Sequence, residues 1–95
     1  MKPSPDTITV HIPGVLRDCC AGAARLAVPA SSVRGVLTEL AQWPALHRSV
    51  CDETGAVRRH VNLFVNTENI RDREGLDTAL ASGDEIIIMP AVSGG

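Results

Sequence analysis

His60-Val61-Asn62-Leu63-Phe64-Val65-Asn66 is the stretch on which the reading of the fold turns. Val61, Leu63 and Val65 are aliphatic and alternate with the mixed row His60, Asn62, Phe64 and Asn66, which is the period of a half-buried strand. The same alternation runs through residues 7–12, with Ile8, Val10 and Ile12 on one side and Thr7, Thr9 and His11 on the other, until Pro13 and Gly14 end it. A third aliphatic run, residues 85–89, follows a chain reversal at Ser82, Gly83 and Asp84, where the Asp84 side-chain oxygen suits a turn.

Between these strands the pattern changes. Residues 16–24 hold Gly22 and the adjacent Cys19 and Cys20 without a clear period, so they read as a long, loose loop leading to a short second strand at 25–28, closed by Pro29. Ser31 or Ser32 can cap a helix in which Val33, Val36, Leu37 and Leu40 fall on one face. Pro44 stops that helix or starts a short second one through Leu46 and Val50. Residues 52–59 read as a surface loop, 66–69 as a turn, Ile70 as a brief edge strand and 75–80 as a loop with a helical turn. One main helix against one face of a mixed sheet is an α+β arrangement, expected here as a single domain over residues 1–95 with a flexible tail at 90–95.

Composition narrows the function. The apolar fraction of 44% supports a folded core, and with one Trp, one Phe and no Tyr that core must be aliphatic. Nine basic and eleven acidic residues leave a net charge of −2 with no basic block, which argues against nucleic acid as partner. No apolar run is long enough to span a membrane, and the first residues, MKPSPDT, are unlike a signal peptide, so the expected location is the cytoplasm. Cys19, Cys20 and Cys51 form neither a disulfide framework nor a CxxC pair and read as reduced thiols, and His11, His47 and His60 lack zinc-site spacing.

If the helix covers the face bearing Ile8, Val61, Leu63, Ile86 and Ile88, alternation leaves His11, Phe64, Ile87 and Met89 on the other, a candidate docking face for partners. Beyond Met89 come Pro90, Ala91, Val92, Ser93, Gly94 and Gly95, with no bulky group near the tip. Two glycines without Cβ atoms can enter a narrow channel and bring a terminal carboxylate to a nucleotide.

Gly83-Asp84-Glu85, an aliphatic strand and Pro90-Ala91-Val92-Ser93-Gly94-Gly95 together resemble the closing segment of the ubiquitin-like sulfur carriers, which include the molybdopterin synthase small subunit and the thiamine thiazole sulfur carrier. His60 to Asn66, then Glu68-Asn69-Ile70-Arg71, is most similar to the mycobacterial cysteine-pathway carrier, and with His11-Ile12-Pro13 the resemblance covers nearly the whole chain. It implies a β-grasp fold, monomeric when free, that is a protein co-substrate and not an enzyme. It also implies a partner of the ubiquitin-activating type, which uses ATP and magnesium to adenylate Gly95, while this chain binds no cofactor and no metal. A sulfur donor then replaces AMP, and the resulting thiocarboxylate passes its sulfur to a biosynthetic acceptor enzyme. Gly94, Ser93 and Val92 would thread into the partner. Carriers ending alike serve cysteine, molybdopterin, thiamine and other sulfur metabolites. Two further readings use the same residues: a protein modifier joined to lysines through Gly95, and a β-grasp interaction module with an inert tail.

Overall fold

The two alternating segments and the aliphatic run become three neighbouring inner strands of one sheet. The computed structural model describes residues 7–90. Within them lie β1 (Thr7–His11), β2 (Arg25–Pro29), α1 (Val33–Leu40), α2 (Pro44–Val50), β3 (Val61–Val65), β4 (Glu68–Asn69) and β5 (Glu85–Pro90). The strand order is β2-β1-β5-β3-β4. β1 and β5 run parallel, whereas the β1–β2, β3–β5 and β3–β4 pairs are antiparallel, so the sheet is mixed.

Alternation decides which residues enter the core. Ile8, Val10, Val28, Val61, Leu63, Val65, Ile86 and Ile88 all point to the helical side and are buried there. Val33, Val36, Leu37 and Leu40 of α1 and Leu46 and Val50 of α2 fill the same cluster. Burying each such aliphatic side chain stabilises the fold by roughly 1.5–3 kcal/mol before conformational entropy is counted. Of the two serines offered as cap, Ser32 does it: its Oγ accepts the Gly35 N–H at 3.1 Å. Pro44 sits in the first turn of α2, where its missing N–H costs no helical bond. Trp43, between the helices, packs against the core and not over the opposite face of the sheet.

Two readings of the connections are corrected. The segment expected to be a loose loop contains a 3-10 helix, Gly14–Cys20, which buries Cys20, packs Leu16 and Cys19 against the core and contacts α2. Arg17 Nε donates to Ile12 O at 3.0 Å and ties it to the end of β1. Ile70 is not an edge strand: the edge strand is Glu68–Asn69, and Ile70 opens a 3-10 helix, Ile70–Asp72. The Asn69 side chain accepts the Arg71 N–H at 2.9 Å, which turns the chain inward and buries Ile70. A further 3-10 turn, Gly75–Asp77, precedes the reversal into β5. There Asp84 Oδ2 accepts the Ala81 N–H at 2.9 Å, and Gly83 takes the positive φ of 90° that the turn requires.

Candidate functional site

The face of the sheet away from the helices carries the other half of each alternation. Strand register sets His11 beside Ile87 and Ile87 beside Phe64, so these three form one row across β1, β5 and β3. Asn69 of β4 extends the row past Phe64. Met89 lies one step further along β5, opposite Asn62, and is 52% exposed. The four residues expected to share a face therefore do so: His11, Phe64 and Ile87 half-buried against one another's strands, Met89 open to solvent.

Polar groups frame this apolar row. His11 Nε2 lies 2.5 Å from Glu85 Oε1, a hydrogen-bonded pair at the β1 side. At this exposure such a pair contributes little to stability, and its value lies in fixing two side chains at the rim. On the β3 side Asn62 Oδ1 accepts from Arg71 at 2.6 Å and from Asn69 at 3.3 Å. Neither Glu85 nor the Asn62–Arg71 cluster was evident from the sequence. Glu85 is diagonal to His11 only once β1 and β5 are known to pair in parallel, and Arg71 reaches Asn62 only through the turn at Asn69.

β5 ends at Pro90, whose partner across the ladder is Val61. The last described residue of β5 thus sits at the margin next to Met89, Asn62 and Arg71. Val92, Ser93, Gly94 and Gly95, the residues expected to thread into a partner and carry the chemistry, lie outside the described residues.

The remaining reactive side chains sit elsewhere. The three cysteines are free thiols. Burial pushes the Cys20 thiol up, and burial together with the neighbouring Asp52 carboxylate does the same for Cys51, which is opposite to what a thiolate nucleophile requires. A pocket of about 460 Å³ opens beside Cys51, lined by His47, Arg48, Asp52, Glu53 and Arg58 among others. Asp52 in its wall is held below the usual carboxylate range, chiefly by hydrogen bonds from the Thr54 hydroxyl and backbone N–H. Among the described residues no three His, Cys, Asp or Glu side chains gather as metal ligands, and no helix is long and apolar enough to cross a membrane.

Comparison with known proteins agrees with this architecture. The chain is 35% identical to the sulfur carrier protein CysO of Mycobacterium tuberculosis over 91 residues, which cover 93% of this chain and 98% of that protein. The crystal structure of the Amycolatopsis orientalis BexX/CysO complex contains a chain with a TM-score of 0.84 and 28% identity, over 93% of this chain and 99% of that one. The solution structure of small archaeal modifier protein 1 from Methanosarcina acetivorans gives 0.80 and 34%, over 94% and 96%. These neighbours are ubiquitin-like β-grasp proteins. The family model of the ThiS family matches residues 10–95, and with the 35% identity to a sulfur carrier along most of both chains this places the chain in the ThiS family of ubiquitin-like sulfur carriers.

Proposed function

We propose that this protein carries sulfur as a thiocarboxylate on Gly95, formed after a ubiquitin-activating-type enzyme adenylates that carboxylate with ATP and magnesium. The observation that carries the reading is the match to a sulfur carrier along nearly the whole of both chains, together with a family-model match that runs through the Gly-Gly end. A carboxylate resists attack until one oxygen belongs to a good leaving group, and AMP supplies that. Sulfide from a donor displaces AMP at the carbonyl carbon and leaves a C-terminal thiocarboxylate, a strong nucleophile at neutral pH. Charge stabilisation and metal belong to the activating enzyme. This chain is then a co-substrate, offering an address in His11, Phe64, Ile87 and Met89 and a tail in Val92, Ser93, Gly94 and Gly95. The acceptor pathway is one of cysteine, molybdopterin, thiamine or another sulfur metabolite, with the resemblance of residues 60–71 leaning to cysteine.

Similarity to an archaeal modifier protein favours a second reading, in which a lysine amine attacks the same activated carboxyl. Intact mass separates the two. With ATP, magnesium, an activating enzyme and sulfide, the full chain gains about 16 Da as sulfur replaces oxygen, and a variant lacking Gly94 and Gly95 gains nothing. A ladder of larger conjugates without that shift overturns the sulfur-carrier reading.

A further inference from the structure

β4 is only two residues long and pairs with Phe64 and Val65, so among the described residues no strand lies beside the outer edge of β3 from Val61 to Leu63. Arg71 occupies that edge. Its guanidinium donates to Asn62 Oδ1 at 2.6 Å, to Val61 O at 3.2 Å and to Arg59 O at 3.4 Å. Asn69 holds the Arg71 backbone N–H through its own side-chain oxygen and donates to the same Asn62 oxygen. One planar fork thus takes the Val61 carbonyl on the stretch of β3 that β4 leaves uncovered, together with the Arg59 carbonyl just before the strand, a task for which the guanidinium geometry suits arginine and not lysine. No carboxylate among the described residues forms an ion pair with it.

The residues so held are those that anchor the end of β5. Val61 pairs with Pro90 and Asn62 with Met89, the last two described positions before the tail. β3 is therefore fixed on one side by Arg71 and on the other grips the point from which residues 91–95 continue. We infer that Arg71 is a positioning residue for the sulfur-loading reaction: by closing the free edge of β3 it fixes the root of the tail, and so the direction from which Gly95 enters a partner. This rests on the sulfur-carrier reading for its kinetic consequence, though not for its structural one.

Misplacement of a reacting group costs turnover more than binding when the docking contacts are intact. In a loading assay with the activating enzyme, Arg71→Ala lowers kcat about tenfold while KM stays within about twofold. Arg71→Lys, which keeps the charge and loses the fork, remains within about threefold of Arg71→Ala. Asn62→Ala lowers kcat similarly, and the double variant is no slower than Arg71→Ala alone, because both belong to one network. Independently of activity, amide hydrogen exchange at Val61, Asn62 and Met89 accelerates about tenfold in Arg71→Ala, with Ile8 and Ile86 unchanged, as expected for local opening.

Wild-type kcat in Arg71→Ala, full rescue by lysine, or a rise in KM alone overturns the assignment, the last making Arg71 a docking contact. Uniform acceleration of exchange through the core also overturns it, since Arg71 would then serve global stability only. If the wild-type protein itself gains no sulfur, the functional reading fails, while local exchange at Val61, Asn62 and Met89 still decides whether Arg71 holds the root of the tail.

Discussion

Ile86, Ile87 and Ile88 are three identical side chains in a row on β5, yet the sheet assigns them to two different environments. Ile86 and Ile88 face the helices and are 1% and 2% exposed, while Ile87 turns the other way into the row between His11 and Phe64 and is only half-buried. Hydrophobicity alone does not distinguish them. The two-residue period of a strand does, and it lets one short segment build the core and, one residue away, offer an apolar contact to a partner.

Ile88→Ala is the sharpest way to break the contrast. It leaves a cavity beneath the helices, and the expected loss is about 2–5 kcal/mol, enough to leave a domain this small marginal or unfolded in urea titration. Ile87→Ala removes the same atoms from the open face and costs about 1 kcal/mol or less, mainly cross-strand contact with Phe64. Its effect belongs instead in partner binding, as a several-fold rise in KM for sulfur loading with the folded fraction unchanged. Equal stability losses at the two positions would mean that the open face is structural.

A smaller effect sharpens the covered side. Cys51, at the end of α2, has its thiol pushed up in the folded state, so its contribution to stability is fully present below the ordinary thiol value and is lost as pH rises past it. The chain has no tyrosine and one lysine, and the Cys20 thiol, raised as well, acts in the same direction. Urea midpoints should therefore fall between about pH 8 and 10. Cys51→Ala should lower the midpoint at neutral pH, because volume is lost, and flatten the alkaline decline. A decline of unchanged slope would count against burial as the cause.

The parts of the fold that could be read from residues alone are those with a long enough period. β1 and β3 each repeat their alternation over five positions, and α1 repeats its apolar face over two turns, so their sides were legible before any pairing was known, whereas the aliphatic run of β5 marks a strand without marking its faces. The 3-10 helix at Gly14–Cys20 was not, because it fully buries Cys20 alone and its three-residue turn gives no stripe to recognise. β4 has two residues, too few to show a period, and the capping side chain of Asn69 moves Ile70 out of the strand. At the site, face membership of His11, Phe64, Ile87 and Met89 follows from alternation. The reach of Arg71 to three acceptors does not, because a long flexible side chain has no signature in sequence spacing.

The central pairing of β1 with β5 has a consequence for synthesis. His11 and Glu85 touch although 74 positions separate them, and the register from Thr9 to His11 is completed only by residues 85–87. Contacts this distant in sequence close slowly. On the ribosome, Thr7–His11 emerges early and waits, with one side of its backbone unpaired, until nearly all of the chain described here has been made. Chains interrupted before Glu85 have no partner for that edge and leave the apolar rows of β1 and β3 open. They become substrates for chaperones and proteases, whereas a chain that has closed the sheet has already translated the strand from which its tail departs.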